Sequence, residues 1–188
     1  MHRRLIISML KDYEPTSRKQ EKERQYMLDF IMSHDDCFSR KCRDGHITCG
    51  CFLENFDGTK FLLTKHKKSG LWLQVGGHAD GESNPIEVAK REAHEESGLT
   101  CIEPISEKIF SIGIHMSPEI LTYPPHFHYD INFLFRAINA HEMIKMSEDE
   151  SLDLRWFSEL PNEPHGIGLE DMFSKWKHVH KSMELATI

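Results

Sequence analysis

The sequence has no long hydrophobic run. Its most apolar early stretch, Leu5 to Leu10, is far shorter than the roughly 20 residues a membrane-spanning helix needs. It is also short for the apolar region of a secretory signal, so neither kind of segment is expected. Basic charge is scarce as well: 23 Lys and Arg stand against 30 Asp and Glu, a net charge of -7. That balance leaves no footprint for stable binding to a nucleic-acid backbone, and a phosphorylated small molecule would need a cation to screen it. Cysteine is limited to Cys37, Cys42, Cys49, Cys51 and Cys101, an odd count without a secretion signal, which points to reduced thiols in the cytoplasm. Their spacing lacks the paired knuckles of structural zinc modules. Internal repeats and low-complexity linkers are absent, and 188 residues suit one domain with flanking elements.

What is present alternates between strand and helix patterns. Ser17 to Met32 is polar and then amphipathic, with Tyr26, Met27, Phe30 and Ile31 at helical spacing, and Ser33-His34-Asp35-Asp36 ends it. Strands are expected at Ile47 to Leu53, with Cys49 and Cys51 as small buried side chains on one face, and at Phe61 to Lys65. Between them Asn55-Phe56-Asp57-Gly58 is a good hairpin turn. Further strands are expected near Glu107 to Ile114, His128 to Ala137 and Leu154 to Phe157, and Leu169, Met172, Phe173 and Trp176 mark a closing helix. The order suggests a sheet with helices across its faces. Residues 1–45 are expected to be an N-terminal helical extension, which covers a sheet edge or forms a homodimer contact, and 46–188 the main domain.

Gly76 to Leu99 concentrates the chemistry. Asn84 is a good N-cap, Pro85 suits the first helical position, Glu87 sits where a capping-box acid reaches back, and Gly98 supplies a left-handed stop. At about 100° per residue, Glu92, Glu95 and Glu96 fall on one arc, with Ile86, Ala89 and Ala93 on a neighbouring face suited to a sheet. Like charges at this spacing weaken an isolated helix by a few tenths of a kcal/mol. A divalent cation reverses that sign, because magnesium and manganese take oxygen ligands and bridge carboxylates to phosphates. The plain alternative is a solvated acidic face.

Alternation also gives His126-Phe127-His128-Tyr129-Asp130 two faces: His126, His128 and Asp130 on one, Phe127, Tyr129 and Ile131 on the other. The polar face suits substrate contact, a structural histidine oriented by Asp130, or a transition metal, and the first two are preferred. His94 is expected at an exposed helix position, while His78 and His115 carry little local signal.

The run from Arg91 to Leu99, Arg-Glu-Ala-His-Glu-Glu-Ser-Gly-Leu, resembles the second half of the Nudix hydrolase signature, Gly-x5-Glu-x7-Arg-Glu-U-x-Glu-Glu-x-Gly-U, where U is a bulky aliphatic residue. Ala93 is small for its position. Counting back from Arg91 puts the signature glycine on Gly77 and its first glutamate on Ser83; counting forward from Gly76 reaches Glu82. An inserted residue near Asn84 reconciles the two counts. Trp72 to His78 and Leu152 to Phe157 look like the strands that precede and follow the signature, so the resemblance spans roughly residues 46 to 160.

The resemblance implies an α/β/α sandwich with a mixed sheet and a phosphoanhydride hydrolase dependent on Mg2+ or Mn2+. It places the metal on Glu92, Glu95 and Glu96 with a carbonyl of Gly76 or Gly77, and makes Glu96 or Glu82 the general base. Glu95 shares the catalytic work, and Arg91 orients a glutamate. The implied substrate is a small diphosphate, a nucleoside diphosphate linked to another group. A sensor of the same fold without turnover is the main alternative; a prenyl diphosphate isomerase is disfavoured because the Gly76-Gly77-His78 turn has no cysteine.

Overall fold

The computed structural model describes residues 2–117 and 124–186. In chain order the elements are α1 (Arg4–Asp12), α2 (Arg18–Ser33), β1 (Gly45–Glu54), β2 (Phe61–His66), β3 (Trp72–Leu73), β4 (Val75–His78), α3 (Pro85–Ser97), β5 (Ile102–Pro104), β6 (Ser111–Ser117), β7 (His126–Ala137), β8 (Ser151–Phe157) and α4 (Leu169–Ala186). This is the expected α/β class, with N-terminal helices preceding the strands. No helix among the described residues is long and apolar enough to cross a membrane. The chain divides into two compact units, one of Met1–Cys51, Gly76–Glu92 and Ser106–Leu134, the other of Phe52–Val75, Ala93–Ile105 and Phe135–Ile188.

In the first unit, α2 starts where the sequence suggests: the Ser17 hydroxyl accepts the Gln20 N-H at 3.2 Å. Met27, Leu28, Phe30 and Ile31 are buried, whereas Tyr26 is 62% exposed, so the apolar stripe is turned away from Tyr26 and toward Leu28 relative to expectation. The stretch from Leu5 to Leu10 is helical, with Ile6 and Leu10 one turn apart and both buried. Arg3 Nη1 ties this helix to the end of α2 by donating to the Ile31 carbonyl at 2.6 Å. Phe30 stacks on Tyr129 of β7, centroids 4.0 Å apart and 11° from parallel.

All ten residues of β1 are buried, and β1 has β4 and β7 as sheet neighbours. Strand β6 runs antiparallel to β7, with Gly113 opposite Asp130 and His115 opposite His128. It lies a few residues later than the expected Glu107 to Ile114. The cysteines are all free; Cys37, Cys42, Cys49 and Cys51 are buried and behave as small apolar side chains.

In the second unit β2 pairs antiparallel with β3, with β8 and with the end of β1, where Glu54 faces Phe61. The Asn55 turn closes that hairpin: Gly58 has φ +68° and donates to the Asn55 carbonyl at 3.0 Å. Phe52, Phe61 and Trp176 form an aromatic core, with Phe61 centroids 4.8 Å from Phe52 and 5.4 Å from Trp176. Glu54 is fully buried beneath it. Its Oε2 accepts from Trp176 Nε1 and His180 Nε2, both at 2.7 Å, and its Oε1 pairs with Arg136.

Candidate active site

Helix α3 begins and ends as its residues dictate. Asn84 Oδ1 accepts the Ile86 N-H at 3.2 Å, and Pro85 is the first helical residue. Gly98, at φ +69°, donates to the His94 carbonyl at 2.9 Å. The buried face is Val88, Ala89 and Ala93, while Ile86 is only half-buried. His94 is half-buried rather than exposed, because its Nδ1 turns to the Leu99 carbonyl.

The three signature carboxylates differ in setting: Glu92 and Glu96 are 6% and 5% exposed, and Glu95 is exposed. An ionised carboxylate this buried requires an answering charge. For Glu92 it is Arg91, whose Nη1 lies 2.8 Å from Glu92 Oε1 while its Nη2 donates to the His78 carbonyl at 2.8 Å. One planar guanidinium thus joins the head of the carboxylate arc to the end of β4. Gly77 completes the cradle: a Cβ there would lie 2.3 Å from Glu92 Oε2. At Gly76 a Cβ would lie 2.5 Å from Gly50 Cα, so β4 approaches β1 as closely as backbone permits. The oxygens of the Glu92 carboxylate beside the bare Gly77 backbone suit a hard divalent cation such as Mg2+ or Mn2+.

The turn before the helix is pinned from a distance. Arg40 grips Asp80 with two contacts of 2.6 Å, from Nε and Nη2, and Asp80 has φ +50°. Arg40 thereby holds the Asp80 carboxyl below the usual range. Glu82 is exposed, and its Oε1 accepts the Asn84 N-H at 2.8 Å; the neighbouring Ser83 is half-buried.

The polar face of β7 is built as its alternation suggests, with additions from β1, β4 and β6. Asp130 accepts the Thr48 hydroxyl and takes His115 Nδ1 at 2.7 Å, which raises the His115 pKa. His126 Nε2 meets His128 Nε2 at 3.1 Å. His46 and His78 join them, with the ring of His46 4.8 Å from those of both His126 and His128 and 5.0 Å from that of His78. Burial pushes His46 and His78 down to about 4 and His128 to about 3, leaving these rings neutral at pH 7. The local signal for His46 was its place two residues before Thr48 on one face of a strand. For His78 it was only a histidine after two glycines.

A model of the NUDIX domain matches residues 45–166. The fold is similar to that of a MutT Nudix hydrolase from Burkholderia pseudomallei (TM-score 0.52, 19% identity, 70% of this chain and 97% of that one). It is similar also to the MutT protein from Methanosarcina mazei Go1 (TM-score 0.54, 22% identity, 74% and 98%). A UDP-X diphosphatase matches over 95% of this chain and 92% of its own length at 11% identity, with a TM-score of 0.53. No curated protein matches the chain. With the domain match covering well over half of the sequence and the Arg91 to Leu99 signature set on a capped helix, this chain belongs to the Nudix hydrolase family.

Proposed function

We propose that this protein hydrolyses the diphosphate linkage of a nucleoside diphosphate joined to another group, with Mg2+ or Mn2+ held by Glu92, Glu95 and Glu96 and a carbonyl of Gly77. The observation that carries this reading is Glu92, buried between Arg91 and Gly77 at the head of the signature. Bound there, a divalent cation supplies charge stabilisation at phosphoryl oxygens and activation of water. Arg91 fixes the Glu92 carboxylate, so its oxygens need no reorganisation when substrate arrives. Glu95, exposed on the same helix, is available to substrate and solvent. Glu96 or Glu82 takes the proton from the attacking water. The face of β7 that carries His126, His128 and Asp130 is the side offered to substrate. In this reading residues 46–188 are the hydrolase domain and 1–45 an extension of it, and the five free thiols suit a cytoplasmic setting.

The test is a panel of nucleotides, dinucleotides and nucleotide sugars, UDP-sugars among them, incubated with Mg2+ or Mn2+ and analysed for cleavage products. Turnover should require the metal, and Glu95→Gln and Glu96→Gln should each lower it by roughly a hundredfold or more with the fold intact. Nucleotide binding without cleavage of any substrate would establish the sensor reading instead.

A further inference from the structure

Asp130 is committed to Thr48 and His115, and the histidine face holds more imidazole than that pair employs. His46 is 2% exposed, yet neither of its ring nitrogens makes a hydrogen bond of ordinary geometry among the described residues; the Cys42 backbone offers only a looser polar contact. A buried polar group left unsatisfied is costly, so a ring in this position calls for an occupant.

The arrangement of its neighbours indicates what kind. One nitrogen from each of His46, His78 and His128 lies within 4.8 Å of the others. Their ring centroids are 4.8, 5.0 and 5.1 Å apart. With Zn-N bonds of about 2.0–2.1 Å, tetrahedral geometry sets imidazole centroids roughly 5 Å apart and ligand nitrogens roughly 3.3 Å apart. The ring centroids already stand at that spacing, and binding would draw the nitrogens together from separations of up to 4.8 Å. His126 offers the fourth corner: its Nε2 is 3.1 Å from His128 Nε2, close to the nitrogen-nitrogen edge of such a site.

We propose that His46, His78 and His128, with His126 as fourth ligand, bind a zinc-class transition metal at a site distinct from the Glu92, Glu95 and Glu96 carboxylates. Nitrogen donors without carboxylate or thiolate select zinc over magnesium. The ion would take the place of the contact between His126 Nε2 and His128 Nε2 and tie β1, β4 and β7 together at their polar face. Because the His78 carbonyl receives Arg91, its occupancy would also steady the Arg91 clamp on Glu92. The proposal does not depend on hydrolysis.

The experiment uses the full chain, stripped with a chelator, supplied with excess Mg2+ to fill the carboxylates, and titrated with Zn2+ or Co2+. About one zinc per chain should bind through the magnesium excess. Co2+ should give the intense visible bands of tetrahedral coordination without a thiolate charge-transfer band. X-ray absorption at the zinc edge should show imidazole scattering at about 2.0–2.1 Å. His78→Gln and His128→Gln should each weaken zinc binding by at least roughly tenfold, and Glu95→Gln should leave it unchanged. Failure to retain zinc, retention undiminished in both histidine variants, or an edge spectrum of oxygen or sulfur ligands would overturn the proposal. Should the variants misfold, the wild-type edge spectrum decides alone. Zinc binding without hydrolysis would reject only the hydrolase reading; hydrolysis without zinc binding would reject only this one.

Discussion

Arg91 and Glu92 are consecutive residues whose side chains meet at 2.8 Å, while the same guanidinium reaches the His78 carbonyl. A lysine carries the charge but lacks the fork that reaches both acceptors. Arg91→Lys is therefore expected to raise the Mg2+ concentration for half-maximal turnover by roughly 10- to 100-fold, the range for residues that orient metal ligands. Metal titrations of initial rate check this, and an unchanged midpoint would deny Arg91 its orienting role.

The two glycines of the turn should fail differently. A Cβ at Gly77 collides with the Glu92 carboxylate, a movable side-chain end, whereas one at Gly76 meets Gly50 Cα at 2.5 Å and the Cys49 carbonyl at 2.8 Å. Gly77→Ala should weaken metal binding and turnover with a modest change in melting temperature. Gly76→Ala should chiefly destabilise, by about 1–3 kcal/mol as overpacking does. Paired thermal melts and metal titrations separate the two, and equal losses of stability would contradict it.

Glu54 anchors the second unit from a fully buried position. Removing its charge takes from Arg136 its buried partner, although Arg136 is 35% exposed and partly solvated. Glu54→Gln should cost about 3 kcal/mol, the low end for breaking a buried pair. Trp176→Phe, which removes one hydrogen bond to a charged acceptor, should cost about 2 kcal/mol. Urea unfolding measures both.

His34 supplies a pH prediction away from the site. Its pKa is raised above 6.5 by the hydrogen bond to Asp44, then by the Phe30 carbonyl, with Asp36 adding to the field. A raised folded-state value means that the stabilisation is fully present below about pH 6.5 and is lost as pH rises through the folded value. The imidazole resonances of His34 should titrate above those of an unperturbed histidine, and Asp44→Asn should move the midpoint down. A midpoint insensitive to that change would show the pair to be unformed in solution.

Local chemistry made much of this molecule readable. The Asn84 cap, the Gly98 stop and the Asn55 turn each follow from backbone demands met within a few residues. So does the two-faced pattern of β7. Arg40 and Asp80, forty residues apart in sequence, meet only through folding, and no spacing rule connects them. The same holds for His46, His78 and His128, which come from three strands. Local alternation grouped His128 with Asp130, while Asp130 is in fact taken by Thr48 and His115. Helix α1 was hidden because a six-residue apolar run is too short to declare a period, and its burial depends on contact with α2.

The parallel rings of Phe30 and Tyr129 separate two kinds of boundary. The match to the family model starts at residue 45, but Phe30, Met27 and Ile31 are buried in the same compact unit as the first part of β7. A fragment cut where the family match starts would lose the partner of Tyr129 and bare the apolar surface that α2 shields, inviting aggregation. The stretch that the family model matches and the stretch whose side chains are buried together are thus not the same.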